Sequence, residues 1–386
     1  MSGHIKRLNK GHYEITIELG LDPSTKKRKR MKRVFKGTAS DAKVEMDRLL
    51  RDLCYGVDVG HGLTVQAYLE KWLDVYVTPK LAAKSIRSYS QLLRMHVIPY
   101  LGAMKLENLN PLHLQQHVNR LLKSGRKDGR EGGLSYRTVQ YTHRVLHKAL
   151  SSAVAWQLLS RNPASAVALP PRPPRVDMTP LTEEQTRILL MEVAKTRFYG
   201  VVFVAIMTGL RRGEVLGLRW CDVNAGRGVL EIRQTVQYTP EQGVYFKAPK
   251  TALSNREVPV SDAVFSLLEA HRKRQVVQRV KIGELYNKGA DLVFCQDDGN
   301  PLHPDTITGW FPAFLRRIGL PPVRFHDLRH THATLLLEQG VTLPEVSDRL
   351  GHADIRTTQI YSHVLPKKKR EIATKLDHIA NGHRAP

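Results

Sequence analysis

Between Leu169 and Pro180 the chain places Pro170, Pro171, Pro173, Pro174 and Pro180. Each proline sets φ at about −65°, removes a backbone donor and pushes the residue before it to extended backbone, so neither a helix nor an interior strand can cross this stretch. An extended, semi-rigid linker is expected there. The 386 residues are therefore expected to fold as separate bodies on either side of it, which suits domains of roughly 100–200 residues.

Charge distinguishes the two sides. The chain holds 60 Lys and Arg against 36 Asp and Glu, a net of +24. Residues 1–177 carry +17 of that surplus, and the longer remainder carries only +7. A surplus this basic calls for a polyanionic partner; nucleic acid comes first, and an anionic membrane surface is a weaker second. No run of about 18 apolar residues exists, so no transmembrane helix is expected. The N-terminal Met1–Arg7 has no apolar core after its charges, which argues against a secretory leader. Cys54, Cys221 and Cys295 lie far apart, with neither metal spacing nor a disulfide framework, consistent with a reducing cytosol.

Periodicity divides the chain further. Tyr13–Leu19 alternates apolar and polar residues as a half-buried strand does, and Leu21–Ser24 is a turn signal. Lys26–Lys36 has eight basic residues in eleven. It reads either as a solvated loop or as a basic sheet face against DNA, through Lys26, Lys27, Arg28, Lys29, Arg30, Lys32 and Arg33. Thr38–Tyr55 predicts a helix capped by Ser40 or Asp41. Residues 62–168 predict four helices: one around Leu63–Leu73, one from Ser85 to near Pro99, one over Pro111–Leu122 and one over Ser135–Leu159. Trp72 and Trp156 are expected in their core. Lys84, Arg87, Arg94, Arg137, Arg144 and Lys148 supply cations for phosphates. After the linker, Thr182–Gln185 opens a helix as a capping box, and Tyr199–Met207 predicts a buried one. Gly228–Val236, Gly243–Ala248 and Arg256–Val260 predict short strands, Ser261–Arg274 a helix, and helices fill most of the remainder. The expected fold class is multidomain α+β. Residues 1–60 form a small sheet-plus-helix domain, 61–168 an all-helical domain, 169–180 the linker, and 181–386 a mainly helical domain with a small antiparallel sheet.

Four widely separated segments carry candidate chemistry: Thr208–Trp220, Ala248–Thr251 with Asn255–Pro259, His326–Thr334, and Leu350–Tyr361. Any one of them alone is weak; a Thr-Gly-x-Arg or a His-x-x-Arg occurs by chance. In this order, spacing and context they resemble the tyrosine recombinase (phage integrase) family, over residues 181 to about 370. The basic strand–helix segment and helical segment upstream resemble the arm-binding and core-binding domains of integrases of temperate phages and conjugative transposons. By that resemblance Arg211, Lys250, His326, Arg329 and His352 assist and Tyr361 attacks.

The chemistry agrees with those residue types. Cutting a phosphodiester with a side chain needs a nucleophile, charge stabilisation and a proton for the leaving oxygen. A free phenol has a pKa of about 10, so Tyr361 needs positive neighbours or a base. The guanidinium forks of Arg211 and Arg329 suit phosphate oxygens bidentately. His326 and His352 can donate to the phosphate or move a proton. His326 and Arg329, three apart, would share a helix face. Lys250, between two strand signals, is placed on a hairpin tip, where it could protonate the departing sugar oxygen if its surroundings lower its pKa.

Each residue also has a duller reading. Tyr361 taken singly would be an ordinary surface or core tyrosine, and Arg211 an ion-pair partner of Glu214. We favour catalysis for Arg211 and a scaffold role for Glu214. Arg212, His330 and His332 fall off the motif and are expected to support or face solvent. The histidines from 326 to 363, with Asp327 and Asp354, match no common metal signature. No Gly-rich phosphate loop followed by Lys appears. No metal and no cofactor is therefore expected, consistent with the covalent 3′-phosphotyrosyl intermediate that the resemblance implies.

The resemblance implies a recombinase that integrates and excises a mobile element. Its partners would be double-stranded arm and core attachment sites, copies of itself in a tetramer, an excisionase and a DNA-bending host factor. It would work in the cytoplasm at the nucleoid. The Lys367–Arg370 run and the periodic Ile372, Leu376 and Ile379 suggest a tail docking on a neighbouring protomer. A type IB topoisomerase-like enzyme and a non-catalytic DNA-binding regulator are the alternatives.

Overall fold

The computed structural model describes residues 3–21, 28–54, 62–174, 179–248 and 255–351. The chain divides into two compact units, 1–174 and 175–386.

The first unit begins with an antiparallel sheet in the order β1 (Gly3–Asn9), β2 (His12–Leu21), β3 (Arg28–Lys36), followed by helix α1 (Ala39–Cys54). The alternation of β2 buries Ile15 and Ile17 against Leu49, with Ile5, Met31, Phe35 and Met46 packed around them. The cap of α1 differs from expectation. Thr38 is the cap: its Oγ1 accepts the Asp41 N–H at 3.2 Å, and the Asp41 carboxylate accepts the Thr38 N–H at 3.1 Å. Asp41 is the third helical residue, the position from which a carboxylate reaches back to the cap.

The all-helical part comprises α2 (Val65–Trp72), α3 (Thr78–Lys80), α4 (Ala83–Leu92), α5 (Ile98–Leu101), α6 (Pro111–Ser124) and α7 (Tyr136–Ala155). Wide π turns, Leu73–Val77 and Leu93–Val97, join α2 to α3 and α4 to α5. They explain why the second helix does not stop near Pro99 but continues to Leu101. A wide turn absorbs the residue that a proline, lacking an N–H, cannot accommodate in an ordinary helix. Trp72 is fully buried and stacks between Tyr76 and Tyr89, centroids 5.7 and 6.1 Å away, and its indole N–H donates to Ser152 Oγ at 3.0 Å. Helix α7 ends at Ala155 rather than Leu159. Gln157 adopts φ +59°, and the Leu158 N–H turns back onto the Ala153 carbonyl at 2.8 Å, a Schellman-type stop.

The second unit contains α8 (Glu183–Val193), α9 (Tyr199–Thr208), α10 (Arg212–Leu216), β4 (Val223–Asn224), β5 (Val229–Ile232), β6 (Thr235–Thr239), β7 (Gly243–Lys247), β8 (Arg256–Pro259), α11 (Asp262–Ile282), α12 (Pro304–Arg317), α13 (Leu328–Glu338) and α14 (Leu343–Leu350). Thr182 and Gln185 form the expected capping box on α8. Helix α9 is apolar almost throughout and lies in the core with Leu189, Val215, Leu268, Phe311 and Leu328. The stretch expected as one strand, Gly228–Val236, is two. It breaks at Arg233–Gln234, where the Gln234 amide donates to the Gly217 carbonyl at 2.9 Å, and its halves enter different sheets. One sheet runs β4-β5-β8 and the other pairs β6 with β7, all antiparallel. Strands β7 and β8 therefore lie in different sheets, and the hairpin tip expected for Lys250 falls outside the described residues. Helix α11 runs to Ile282, past the expected end at Arg274, and stops at Gly283 with φ +66°. Among the described residues no helix is long and apolar enough to cross a membrane.

Candidate active site

Helix α9 ends at Gly209, whose φ of +66° turns the chain out of the core. Glycine is required here for a second reason: a Cβ would lie 2.6 Å from His332 Cδ2 and 2.7 Å from Leu350 Cδ2. Two residues later Arg211 occupies the N-cap position of α10, with extended backbone. Its side chain leaves the helix end instead of lying along it.

Glu214, in the first turn of α10, holds that arginine. Its buried carboxylate accepts the Arg211 N–H at 2.9 Å and the Arg211 Nη1–H at 2.8 Å. It also accepts both Nη groups of Arg256 in β8, at 3.3 and 3.1 Å. Burial pushes the Glu214 carboxyl up, but the charge and hydrogen bonds of Arg256, with the charge of Arg211, outweigh it and hold the pKa below the usual value. Glu214 thus serves as scaffold, with one arginine more than expected.

Arg329 lies in the first turn of α13 and is 3% exposed. Its Nη1 donates to the Gly209 carbonyl at 2.8 Å and its Nη2 to the Leu350 carbonyl at 2.7 Å. Arg211 Nη2 reaches the next carbonyl, Gly351, at 3.5 Å. The two guanidinium groups thus address consecutive carbonyls where α14 ends in a left-handed turn, Gly351 having φ +65°. One charged fork fastens the turn after α9 to the end of α14; the other sits beside it, a third of its surface open.

His326 does not share a helix face with Arg329. It sits in a 3₁₀ turn, Phe325–Asp327, ahead of α13. The buried Asp327 carboxylate fixes the turn by accepting the Arg324 N–H at 2.8 Å and the Arg324 Nη2–H at 2.8 Å. The His326 side chain is exposed at the rim. Desolvation by its surroundings, then the Arg329, Arg211 and Arg324 charges, lower its pKa against an opposing pull from Asp327. The neutral ring that results has one donor and one acceptor nitrogen, the form suited to moving a proton.

The structure brings Arg211, His326 and Arg329 together. Lys250, His352 and Tyr361 lie outside the described residues, as do Lys26 and Lys27; Gly351, the last described residue, directly precedes His352. Among the off-motif residues, His332 is buried and does not face solvent. Its Nδ1–H donates to the Ile206 carbonyl at 2.8 Å, and its Nε2 accepts from Arg349 Nε at 3.1 Å. Burial, then the Arg349 charge, push its pKa down to about 4. Arg212 ties α10 to α12 through the Pro304 carbonyl at 3.1 Å and Asp305 at 3.3 Å. The residue the motif reading left unassigned is Arg256. Its signal was its place in Asn255–Pro259, next to a segment already singled out.

In the first unit, Arg28 and Lys29 start β3. Strand alternation divides the rest of the basic run. Arg30 and Lys32 lie opposite Glu18 and Thr16, and they pair with Glu18 at 3.2 Å and Glu14 at 3.3 Å. Arg33 points to the helix side and pairs with Glu45 of α1 at 3.5 Å. A single basic face is therefore not formed by all of them, because neighbours in a strand point to opposite faces. Lys84 and Arg87 of α4 and Arg137 and Arg144 of α7 are exposed, whereas Arg94 is committed to Glu70 at 2.7 and 3.1 Å.

A family model described as "Phage integrase family" matches residues 180–368, and one described as "Phage integrase, N-terminal SAM-like domain" matches residues 64–122. The chain is 28% identical to the ICEBs1 integrase of Bacillus subtilis (strain 168), over 97% of this chain and 99% of that protein. Its fold is similar to the Tn1549 transposon integrase in complex with transposon right end DNA, with a TM-score of 0.67 and 20% identity over 82% of this chain and 99% of that one. It is also similar to lambda integrase, solved as a tetramer bound to a Holliday junction, with a TM-score of 0.55 and 16% identity over 91% and 95% of the two chains.

Proposed function

Because the chain belongs to the phage integrase family, we propose that it is a site-specific DNA recombinase that integrates and excises a mobile element. The observation that supports this most is the convergence of Arg211 and Arg329 on the consecutive carbonyls of Leu350 and Gly351, directly before His352 in a sequence that continues to Tyr361. Two fixed guanidinium groups can stabilise the charge that develops on a phosphodiester when a tyrosine attacks it.

The Tyr361 oxygen bonds to the scissile phosphorus as the bond to the 5′-oxygen breaks. Arg211 and Arg329 stabilise the charge on the non-bridging oxygens. The tyrosine gives its proton to a neighbouring base, and the leaving 5′-oxygen takes one from Lys250. His326 and His352 hydrogen-bond the phosphate or relay protons. The 3′-phosphotyrosyl bond conserves the energy of the broken linkage, so a 5′-hydroxyl from a second duplex can religate it without nucleotide hydrolysis. Residues 1–60 take arm sites, 61–168 take core sites and 181–386 carry out the chemistry. Lys84, Arg87, Arg137 and Arg144 meet core-site phosphates; Lys26, Lys27, Arg28, Lys29, Arg30, Lys32 and Arg33 serve the arm site. Four protomers work in one synapse, with an excisionase and a DNA-bending protein setting direction.

The test begins by sequencing the junctions of the element that encodes the chain and building core-site duplexes from them. The wild-type protein forms a covalent adduct and exchanges strands between two such duplexes. Tyr361→Phe binds them equally but forms no adduct. Undiminished adduct in Tyr361→Phe overturns the nucleophile; relaxation of supercoils without strand exchange favours the topoisomerase reading.

A further inference from the structure

Glu214 poses an electrostatic problem. It is buried and ionised, and it contacts the Arg211 guanidinium directly. Alone, the pair has no net charge, and a neutral pair is a poor site for a phosphodiester anion. Arg256 changes the sum. Its guanidinium, with a side chain 9% exposed, lies against both carboxylate oxygens, so two cations share one anion and the cluster keeps one positive charge. The low-dielectric surroundings make that remaining charge effective over a few ångströms.

Arg256 is also placed to shape the chain next to the reacting segment. Gly351 packs on it so closely that a Cβ there would lie 2.8 Å from Arg256 Cδ and 3.0 Å from its Nε. That Nε is buried with no hydrogen-bond partner among the described residues, so this face of the guanidinium serves packing. The next residue is His352. Strand β8 supports the arrangement: Arg256 stands opposite Ile232 at the end of its pairing with β5, which keeps its backbone still.

Resting on the recombinase reading above, we propose that Arg256 is a positioning residue. It cancels the Glu214 charge so that Arg211 acts on the scissile phosphate as a full cation, and it sets the Gly351 turn that leads into His352. It touches no reacting atom itself.

The experiment is single-turnover adduct formation on a nicked core-site duplex, with DNA affinity and thermal unfolding measured on the same samples. Arg256→Met slows adduct formation by about 10²-fold, with affinity within about twofold of wild type. Arg256→Lys keeps the charge but loses the fork, and recovers about tenfold of that loss. Glu214→Gln added to Arg256→Met removes the uncompensated anion and also recovers about tenfold, which a purely structural arginine would not allow. Arg256→Met within about threefold of the wild-type rate overturns the proposal. So does a folded Glu214→Gln/Arg256→Met double variant no faster than the single one. If Arg256→Met does not fold, Arg256→Lys is compared with wild type: a loss of about tenfold supports the proposal and equal rates overturn it. A wild-type protein that forms no adduct fails the recombinase reading instead.

Discussion

Single residues in the second unit owe their roles to neighbours far away in sequence. Gly351 shows this most clearly: its φ of +65° and its contact with Arg256 leave no room for a methyl group. Gly351→Ala is expected to cost about 1 kcal/mol or more of backbone strain and to slow adduct formation about 10²-fold with DNA affinity kept, because the strain falls beside His352. Adduct formation at the wild-type rate would disprove it. His332 and, in the helical domain, His117 have pKa values pushed down to about 4, chiefly by burial. Unfolded, each titrates near the ordinary 6.5. Both contributions are thus complete above that value and shrink as pH falls from 6.5 toward 4, because the unfolded chain takes the protons first. At pH 5 each histidine withdraws on the order of 2 kcal/mol. Urea unfolding at pH 7 and pH 5 should show the loss, and His332→Gln should remove its share of the difference. An unfolding free energy flat over that range contradicts the assignment. None of this was legible for His332, which sits off the motif; its partners, Ile206 and Arg349, are joined to it only by the fold.

Helix starts were far more legible than helix ends and strand partners. Thr182, Asn110 and Ser135 each accept a backbone N–H three residues ahead, a local bond that local sequence encodes. Thr182→Ala should cost about 1 kcal/mol and lower the melting temperature of its domain by about 2–4 °C in calorimetry. No shift would mean that the α8 terminus is held by packing alone. Pro99 misled because a proline usually ends a helix, and only the wide turn Leu93–Val97 before it let the chain continue. The strands misled for a related reason. Gly228–Val236 reads as one β-rich run, but β5 and β6 pair with partners in different sheets, and period-2 alternation does not state which strand lies alongside.

At the scale of the whole molecule the uneven charge makes a solution property. With +17 in the first 177 residues, DNA affinity should fall steeply with salt, each phosphate contact contributing about 0.9 to the slope of log K against log salt. Replacing Lys84, Arg87, Arg137 and Arg144 by alanine should lower the magnitude of that slope by roughly 4. An unchanged slope would remove those four from the interface.

The order and residue types of the motifs were enough to determine the family, because the chemistry of phosphoryl transfer admits few side chains and the backbone signals around them are local. The proline-dense stretch and the charge asymmetry were likewise readable, since both act through composition. Tertiary structure alone decided that Arg211 and Arg329 address neighbouring carbonyls across 140 and 21 positions of chain, that Glu214 answers to two arginines, and that β7 and β8 lie in separate sheets. Those facts rest on contacts between distant segments, held by packing and by the pairing of buried charges, and neither exists until the chain has closed on itself.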